Sequence, residues 1–267
     1  MTSESSETIP AEGATTLTIS DAVAHITFDR PRARNAMTWA MYDGLAMACE
    51  AIAANPAVRV AVLRGAGGKA FVAGTDIEQF KAFESGKDGI QYEAKIATYV
   101  AAVARLSVPT IAVVEGWAVG GGMALASVCD FRITTPGARF GVPIARTLGN
   151  CLSTGNLGVL TALLGPSMVR RMLLLAEMVP AEELVANGYV QEIAAAEDLD
   201  AVLERYTTQL RGHAPITMAV TKQALIRLLE TVTAEDEDLV KRAYGSHDFH
   251  EGVDAFVNKR APQWQAR

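Results

Sequence analysis

Two glycine-bearing segments, each placed where an apolar strand gives way to a helix, constrain the fold of this chain more than any other feature. They are residues 69–77 (KAFVAGTDI) and residues 114–126 (VEGWAVGGGMALA). At the start of a helix the first N–H groups have no partner inside the helix, and the helix dipole adds positive potential. Two such N–H groups that converge on one point form an oxyanion hole. Either segment by itself is more simply interpreted as a tight turn, so only the pair indicates chemistry.

Strands and helices are predicted to alternate over the first two-thirds of the chain. Alternating residues on either side of Asp21 and Ala22 predict a hairpin, and Thr38 is expected to cap a helix that ends near Asn55. Other runs predict strands at 58–63, 110–114 and 131–134, helices at 91–106 and 121–129, and a mobile polar loop at 85–89. The alternation implies an α/β layered fold with parallel sheets.

The composition shifts near residue 205, after which the predicted elements are helices. We therefore expect three regions: a disordered tail at 1–13, a core at 14–205 and a C-terminal helical region at 206–267. The tail carries three Glu and no Lys or Arg, unlike a secretory signal or a mitochondrial transit peptide. In an isolated chain the helical region is expected to expose apolar residues, namely Leu210, Ile216, Val220, Leu225 and Leu228.

Charge and cysteine usage exclude several classes of protein. The chain has 24 Lys and Arg against 30 Asp and Glu, with no dense basic run, which argues against a nucleic-acid binder and against a polybasic membrane anchor. The apolar stretch at 107–129 is interrupted by Pro109 and several glycines, so it is interpreted as strand, turn and helix rather than a membrane span. Three cysteines without paired spacing indicate neither a disulfide framework nor a zinc site, and a cytoplasmic location is expected.

Two motifs carry less information than their patterns suggest. Residues 65–70 (GAGGKA) match the loose dinucleotide pattern G-x-G-x-x-A, but FVAGT follows where that pattern requires a helix, so a surface turn is the better interpretation. His247 and His250 have i, i+3 spacing, yet no third metal ligand is evident and an exposed helix face is expected. Cys151 has no His near it in sequence and is interpreted as a small buried apolar residue. No metal site is predicted.

Five segments, taken in order, resemble the crotonase superfamily, also called the enoyl-CoA hydratase/isomerase family. They are DRPRARNAM, AFVAGTDI, EGWAVGGGMALA-x3-CD, RFGVP and AFVNKRAPQW. The resemblance covers about residues 15–262, and the AGTDI and GGG-x3-A pair is its most specific part. It implies a spiral of ββα units with C-terminal helices that pack in trimers. A homotrimer, or a hexamer built from two trimers, is therefore expected.

The resemblance also implies what the chain binds. Acyl-CoA thioesters are the expected substrates, with coenzyme A as part of the substrate and no other cofactor. The backbone N–H groups of Thr75 and Gly121 would hold the thioester carbonyl oxygen, where negative charge develops, and fixed N–H dipoles stabilise such charge without reorganising. The expected coenzyme A path comprises Arg32, Arg34, Ala73, Asp76, Ile77, Gly120 and Lys259. Solvated surface charge is the alternative interpretation of its three basic residues.

The acyl end departs from the hydratase pattern of the family. Hydratases use two glutamates, one three residues after the oxyanion glycine and one after the FG-x-P segment. The corresponding residues here are Ala124 and Ile144, while Asp130 resembles a structural acid. General acid–base catalysis needs a titratable group within hydrogen-bond reach. Together with Arg146 and Asn150, the two apolar residues are expected to line the acyl pocket, and hydration is expected to be weak or absent.

Three functions stay open on this evidence. The first is a lyase or isomerase that draws its acid or base from a flanking segment, from Asp76, Glu78, Tyr92, Glu93 or Tyr99. The second is decarboxylation of a malonyl-type thioester, which forms the enolate without a strong base and in which Arg146 or Asn150 could orient the carboxylate. The third is a CoA-thioester binder or assembly subunit without catalysis.

Overall fold

The computed structural model describes residues 13–230 and 235–266, so the predicted disordered tail lies, apart from Gly13, outside the described residues. The strands are β1 (Ala14–Ser20), β2 (Val23–Asp29), β3 (Val60–Gly65), β4 (Ala70–Val72), β5 (Thr110–Val114), β6 (Trp117–Val119), β7 (Phe131–Thr134), β8 (Arg139–Gly141), β9 (Val179–Pro180) and β10 (Glu192–Ile193). The helices are α1 (Trp39–Ala54), α2 (Gly86–Ala104), α3 (Gly121–Val128), α4 (Ile144–Thr147), α5 (Thr154–Leu174), α6 (Ala181–Val185), α7 (Leu199–Arg211), α8 (Pro215–Glu230), α9 (Glu237–Tyr244) and α10 (His247–Val257).

The strands form two sheets, and successive parts of the chain contribute strands to both. One has the order β1-β2-β3-β5-β7-β10 and the other the order β4-β6-β8-β9. Neighbouring strands are parallel except for the antiparallel pairs β1–β2 and β8–β9. In the pairs β3–β4, β5–β6 and β7–β8, the first strand lies in the larger sheet and the second in the smaller one, and a helix follows each pair. The predicted α/β spiral of ββα units is confirmed.

Local sequence signals account for the first elements. The hairpin turns at Asp21 and Ala22, which both have positive φ (49° and 63°), the backbone that a two-residue hairpin loop requires. Thr38 caps α1 by accepting a hydrogen bond from the N–H of Met41 at 3.3 Å. Strands β3 and β5 are buried along their length except for Arg64, as expected for parallel strands covered on both faces. These predictions are confirmed.

The predicted mobile loop at 85–89 is wrong, because α2 begins at Gly86. Asp88 accepts a hydrogen bond from the N–H of Ser85 at 2.8 Å and so caps the helix start. A Cβ on Gly86 would lie 2.2 Å from the carbonyl oxygen of Lys241, and one on Gly89 would lie 2.2 Å from the ring of Tyr244. The two glycines therefore serve the close packing of α2 on α9 rather than a loop.

Helix α7 covers the outer face of the larger sheet. Its residues Leu199, Leu203 and Leu210 pack with apolar residues of β3 and β5 in a second core cluster. Leu210 is only 8% exposed, so its expected place on an exposed face is wrong. Residue 205 lies within α7, and the division of the chain near that point stays a prediction.

Helix α8 leaves apolar side chains in contact with solvent. Ile216 is 78% exposed and Leu228 is 65% exposed, and Val220 and Leu225 are also exposed. Lys222 on the same helix is buried, and its ammonium group contacts Asp130 at 2.6 Å. The side of α8 that Lys222 anchors therefore faces the core.

The apolar stretch at 107–129 forms the predicted strand and helix, β5 and α3, but residues expected in the turn between them form a second short strand, β6. Among the described residues, α5 is the one helix whose length and composition would suffice to cross a membrane. Gly165 has a non-helical backbone (φ 75°, ψ 157°) and Pro166 follows it, so α5 consists of two shorter helices joined at a kink.

Candidate functional site

The first glycine-bearing segment is held against Met37. The N–H of Met37 donates to the carbonyl of Gly74 at 2.8 Å, and the N–H of Asp76 donates to the carbonyl of Met37 at 2.9 Å. Successive peptide groups of an extended chain point in opposite directions, so the N–H of Thr75 points away from Met37. Gly74 has φ 106°, which a residue with a side chain rarely adopts.

The second segment ends in the N-terminus of α3. Gly120 is the N-cap, with φ 53°, and its own N–H donates to the carbonyl of Gly141 at 3.0 Å. Gly121 is the first helical residue, so its N–H has no acceptor within α3. The helix dipole adds positive potential at this point.

The two segments meet. A Cβ on Gly121 would lie 4.0 Å from the backbone N of Thr75 and 3.6 Å from its Oγ1. The same Cβ would lie 2.7 Å from the hydroxyl of Tyr42, so the hydroxyl occupies the space of a side chain at this position. The fold thus brings the two predicted donor residues, Thr75 and Gly121, together at one place.

A buried chain of hydroxyl groups supports Thr75. Its Oγ1 lies 2.9 Å from the hydroxyl of Tyr42 and 2.7 Å from that of Tyr92. Trp39 packs against both tyrosine rings. Burial raises the pKa of Tyr42 to about 12 and that of Tyr92 well above its ordinary value, so both rings stay neutral. Sequence reasoning missed Tyr42, whose only local signal is its i, i+3 spacing from Trp39.

The basic turn of the predicted coenzyme A path is tied to the first segment. The carbonyl of Arg34 accepts a hydrogen bond from the N–H of Ala73 at 3.1 Å. The fully buried Asn35 donates to the carbonyls of Ala66 and Ala70, at 3.0 and 2.8 Å, and holds the turn in place. Arg32 and Arg34 are exposed, as a phosphate contact would require.

Other residues of that path have different surroundings. Asp76 pairs with Arg30, whose Nη1 lies 2.7 Å from the carboxylate, a partner that sequence reasoning missed. Ile77 and Gly120 are half-buried. Lys259 is exposed beyond the end of α10, and α10 packs against the short helix Ile77–Ala82 that follows Asp76.

The predicted acyl-pocket residues are two apolar side chains, one arginine and one amide. Ala124 is 8% exposed on α3, and Ile144 starts α4 and packs against the main core. Arg146 is exposed. The half-buried Asn150 donates from Nδ2 to the hydroxyl of Tyr244 at 3.1 Å. Neither of the two positions where the resemblance leads one to expect a glutamate, Ala124 and Ile144, supplies a carboxyl group.

The candidate acids and bases differ sharply in burial. Glu78 is exposed and pairs with Lys81 at 2.6 Å, and the hydroxyl of Tyr99 donates to Asp43. Glu93 is only 6% exposed. It accepts hydrogen bonds from the hydroxyl of Tyr244 at 2.6 Å and from the N–H of Ser153 at 3.2 Å. Burial raises the pKa of Glu93 to about 7.

The glycine-rich pattern at residue 65 and the two histidines have the predicted surroundings, whereas Cys151 is less buried than expected. Gly65 is followed by a turn and then by β4 rather than by a helix. His247 and His250 are both exposed on α10, and the described part of the chain contains no group of three potential metal ligands among His, Cys, Asp and Glu. Cys151 is partly buried, and its thiol is free.

Comparisons with known proteins point in one direction. The sequence model of the Enoyl-CoA hydratase/isomerase family matches residues 18–267. The chain is 30% identical to an (E)-benzylidenesuccinyl-CoA hydratase of Thauera aromatica over 94% of this chain and 98% of that protein. It is 33% identical to a mevalonyl-coenzyme A hydratase of Beauveria bassiana, covering 90% of each chain.

Solved structures agree with the sequence relatives. A methylmalonyl-CoA decarboxylase in complex with 2-nitronate-propionyl-CoA is similar at a TM-score of 0.87 and 25% identity, covering 95% of this chain and 99% of that one. An enoyl-CoA hydratase/carnithine racemase of Magnetospirillum magneticum is similar at a TM-score of 0.77 and 31% identity, covering 95% and 96%.

Proposed function

The chain belongs to the enoyl-CoA hydratase/isomerase family, and on that premise we propose that this acyl-CoA enzyme stabilises a thioester enolate with the backbone N–H groups of Thr75 and Gly121. The observation that carries the proposal is the convergence of the two segments, with the backbone N of Thr75 4.0 Å from the position of a Cβ on Gly121. One donor comes from a strand-like bridge and the other from a helix start, and neither depends on a side chain.

The energetics favour this assignment. When the α-carbon loses a proton or a carboxylate, the electron pair moves onto the thioester oxygen. A donor aimed at that oxygen stabilises the transition state by about 3–4 kcal/mol in known oxyanion holes. The buried hydroxyls of Tyr42 and Tyr92 fix the loop through Thr75 Oγ1, so the donors are oriented before the substrate arrives.

The rest of the substrate is assigned to the predicted path. Arg32, Arg34 and Lys259 would contact the phosphates of coenzyme A, and Ala73, Asp76, Ile77 and Gly120 its nucleotide and pantetheine parts. We further propose a homotrimer or a hexamer, supported by the exposed apolar residues of α8. The proposal includes no cofactor other than the coenzyme A of the substrate. It also includes a cytoplasmic location.

Decarboxylation is the second candidate reaction. It is favoured by the similarity to a methylmalonyl-CoA decarboxylase structure at a TM-score of 0.87. In this reaction the bond between the α-carbon and the carboxylate breaks, carbon dioxide leaves, and the electron pair forms the enolate, which a solvent proton quenches. The apolar side chains of Ala124 and Ile144 suit the loss of a charged carboxylate, and Asn150 could orient it.

A panel of acyl-CoA thioesters tests the function. Each thioester is assayed for turnover and for a shift in melting temperature, because a ligand that binds only the native state stabilises it by mass action. We expect both signals for at least one thioester. A shift without turnover would support a non-catalytic binder, and neither signal at millimolar concentration would contradict acyl-CoA binding.

A further inference from the structure

We propose that Glu93 is the group that accepts the α-proton of the bound acyl thioester, in place of the carboxyl groups absent from positions 124 and 144. The inference deepens the proposed function and rests on it, since it needs the oxyanion hole to receive the electron pair. It names a residue of α2, a helix that carries neither of the two hydratase positions.

Burial distinguishes Glu93 from the other acids. Among the described residues the buried carboxyl groups are Glu93, at 6% exposure, and Glu115, at 8%. Glu115 has a cationic partner, with Arg64 Nε 2.7 Å from its Oε2. Glu93 is held by the hydroxyl of Tyr244 and the amide N–H of Ser153, and neither of these partners is a cation. Keeping such a carboxyl inside costs stability, and functional sites are where that cost is commonly found.

Two adjacent residues of α2, Tyr92 and Glu93, make hydrogen bonds on different sides of the candidate site. Tyr92, the preceding residue on α2, reaches Thr75 Oγ1 at 2.7 Å. On the other side, Glu93 bonds to Ser153 and, through Tyr244, is linked to Asn150. Asn150 and Ser153 lie on the segment that begins at Ile144. Tyr92 and Glu93 together therefore link Thr75 to the segment that begins at Ile144.

A second observation points to a ligand at this place. Oδ1 of Asn150 is buried and has no hydrogen-bond partner among the described residues. The amide orientation is determined, because the hydroxyl of Tyr244 donates to Glu93 and so must accept from Nδ2 of Asn150. Oδ1 is then a buried acceptor that no described residue satisfies, on the same side chain that bonds to the hydroxyl partner of Glu93. Residues 151–159 next to it are all partly exposed, and added Cβ atoms on Gly155 and Gly158 would meet nothing within 4 Å.

The proposed step is balanced without a co-reactant. The carboxylate of Glu93 forms an O–H bond to the α-proton as the C–H bond breaks. The C–H electron pair forms the enolate double bond, and the carbonyl π-pair moves onto the oxygen held by Thr75 and Gly121. The protonated Glu93 then returns a proton to the carbon framework or exchanges it with solvent.

The environment sets the expected pH dependence. The titratable groups around Glu93 are Tyr42 on α1, Tyr92 on α2, Cys151 before α5, and Asp236 and Tyr244 on either side of α9. Burial raises the pKa of Glu93 to about 7, and the hydrogen bond from Tyr244 opposes part of that rise. The base form is the active form, so proton abstraction should rise with pH through about 7 and then level off.

Hydrogen–deuterium exchange at the α-carbon isolates this step. Butyryl-CoA is incubated with the enzyme in deuterium oxide, and its mass is followed with time. We expect exchange by the native chain, and a loss of about 100-fold or more in Glu93→Gln with butyryl-CoA affinity unchanged by calorimetry. Glu115→Gln, which alters the other buried carboxyl, should keep the exchange and serves as the matched control.

The outcomes separate the two proposals. Exchange that persists in Glu93→Gln but disappears in Gly121→Pro would overturn the role of Glu93 and leave the oxyanion hole standing. Binding without any exchange by the native chain would also overturn it. Exchange that survives in Gly121→Pro would contradict the proposed function itself.

Tyr244→Phe provides a test that does not alter the carboxyl group. Removing the hydroxyl removes a hydrogen bond that favours the charged form of Glu93, so its pKa should rise further. The midpoint of the exchange rate against pH should move to higher pH in this variant. An unchanged midpoint would show that a group other than Glu93 titrates, and would overturn the inference even if Glu93→Gln failed to fold.

Discussion

The two glycine-bearing segments and the predicted acyl-pocket residues with their neighbours present different kinds of groups. At Thr75 and Gly121 the backbone is presented, fixed by the bridge to Met37 and by the start of α3. The predicted acyl pocket and its neighbours present side chains: apolar ones at Ala124 and Ile144, and the hydrogen-bonded set Glu93, Tyr244 and Asn150. Backbone N–H groups are present wherever the fold is retained. A carboxyl group depends on the residue at one position, and a different helix can supply it without a change of fold.

The strongest test of the proposed backbone donors is Gly121→Pro. Proline removes the N–H but is tolerated at the first position of a helix, so the chain should still fold. Turnover, or α-proton exchange, should fall by about 100-fold or more, as it does when an oxyanion donor is deleted elsewhere. Circular dichroism controls for folding, and a folded variant with undiminished activity would remove Gly121 from the oxyanion hole.

A matched pair of variants separates donor loss from crowding at the same position. Gly121→Ala keeps the N–H but places a methyl group 2.7 Å from the hydroxyl of Tyr42. Its loss of activity should therefore be partly recovered in Gly121→Ala/Tyr42→Phe, where that hydroxyl is gone, whereas Tyr42→Phe should recover nothing in Gly121→Pro. If Tyr42→Phe changed the activity of Gly121→Ala and of Gly121→Pro equally, a steric role for Tyr42 would be contradicted.

Burial of Glu93 predicts that the difference in stability between the native chain and Glu93→Gln depends on pH. The pKa of Glu93 is about 7 in the folded chain against an ordinary value of 4.5, so the folded state holds the proton more tightly. This term makes the free energy of unfolding fall as the pH rises from about 4.5 to about 7, by at most about 3 kcal/mol. Glu93→Gln lacks the term, so its stability relative to the native chain should increase over that window. Urea unfolding of both proteins at pH 4.5 and 7.5 measures it, and a constant difference would contradict the burial argument.

Placing glutamates at positions 124 and 144 tests whether the apolar residues there account for the weak hydration that we expect. The native chain should hydrate crotonyl-CoA below the range of roughly 1–1000 per second that is typical of enzymes. Ala124→Glu/Ile144→Glu should raise that low rate while lowering the melting temperature, because two carboxyl groups replace apolar side chains. Single substitutions are the controls. Efficient hydration by the native chain would show that another acid–base group already performs that reaction.

The smallest expected change in activity concerns the side chain of Thr75. Thr75→Val removes Oγ1 and leaves the hydroxyls of Tyr42 and Tyr92 without their bond to it, which should cost about 1–3 kcal/mol of stability. The backbone N–H remains, so turnover should fall by less than about 10-fold. Thr75→Ser keeps the hydroxyl and is the control. A loss as large as that of Gly121→Pro would mean that the side chain, not the backbone, contacts the substrate.

The features that sequence reasoning predicted correctly are those set by neighbouring residues. The turn at Asp21 and Ala22, the cap at Thr38 and the strand-to-helix start at Gly121 each depend on the conformational preferences of a few adjacent residues. The family motifs also predicted which two backbone positions meet, because their order along the chain defines the spiral.

Other features depend on residues that are far apart in the chain. In sequence, Gly86 and Gly89 predict a loop, but in the structure they allow α9 to pack closely on α2. Leu210 is predicted on an exposed face, but it is buried because α7 packs on the larger sheet. Glu93 and Tyr244 are separated by 151 positions and Asn150 and Tyr244 by 94, so their hydrogen bonds exist only in the assembled core. The sequence by itself determined the backbone at the two proposed donor positions, since local geometry orients an N–H group. Tertiary structure decided which carboxyl groups are buried, since burial depends on packing by distant segments.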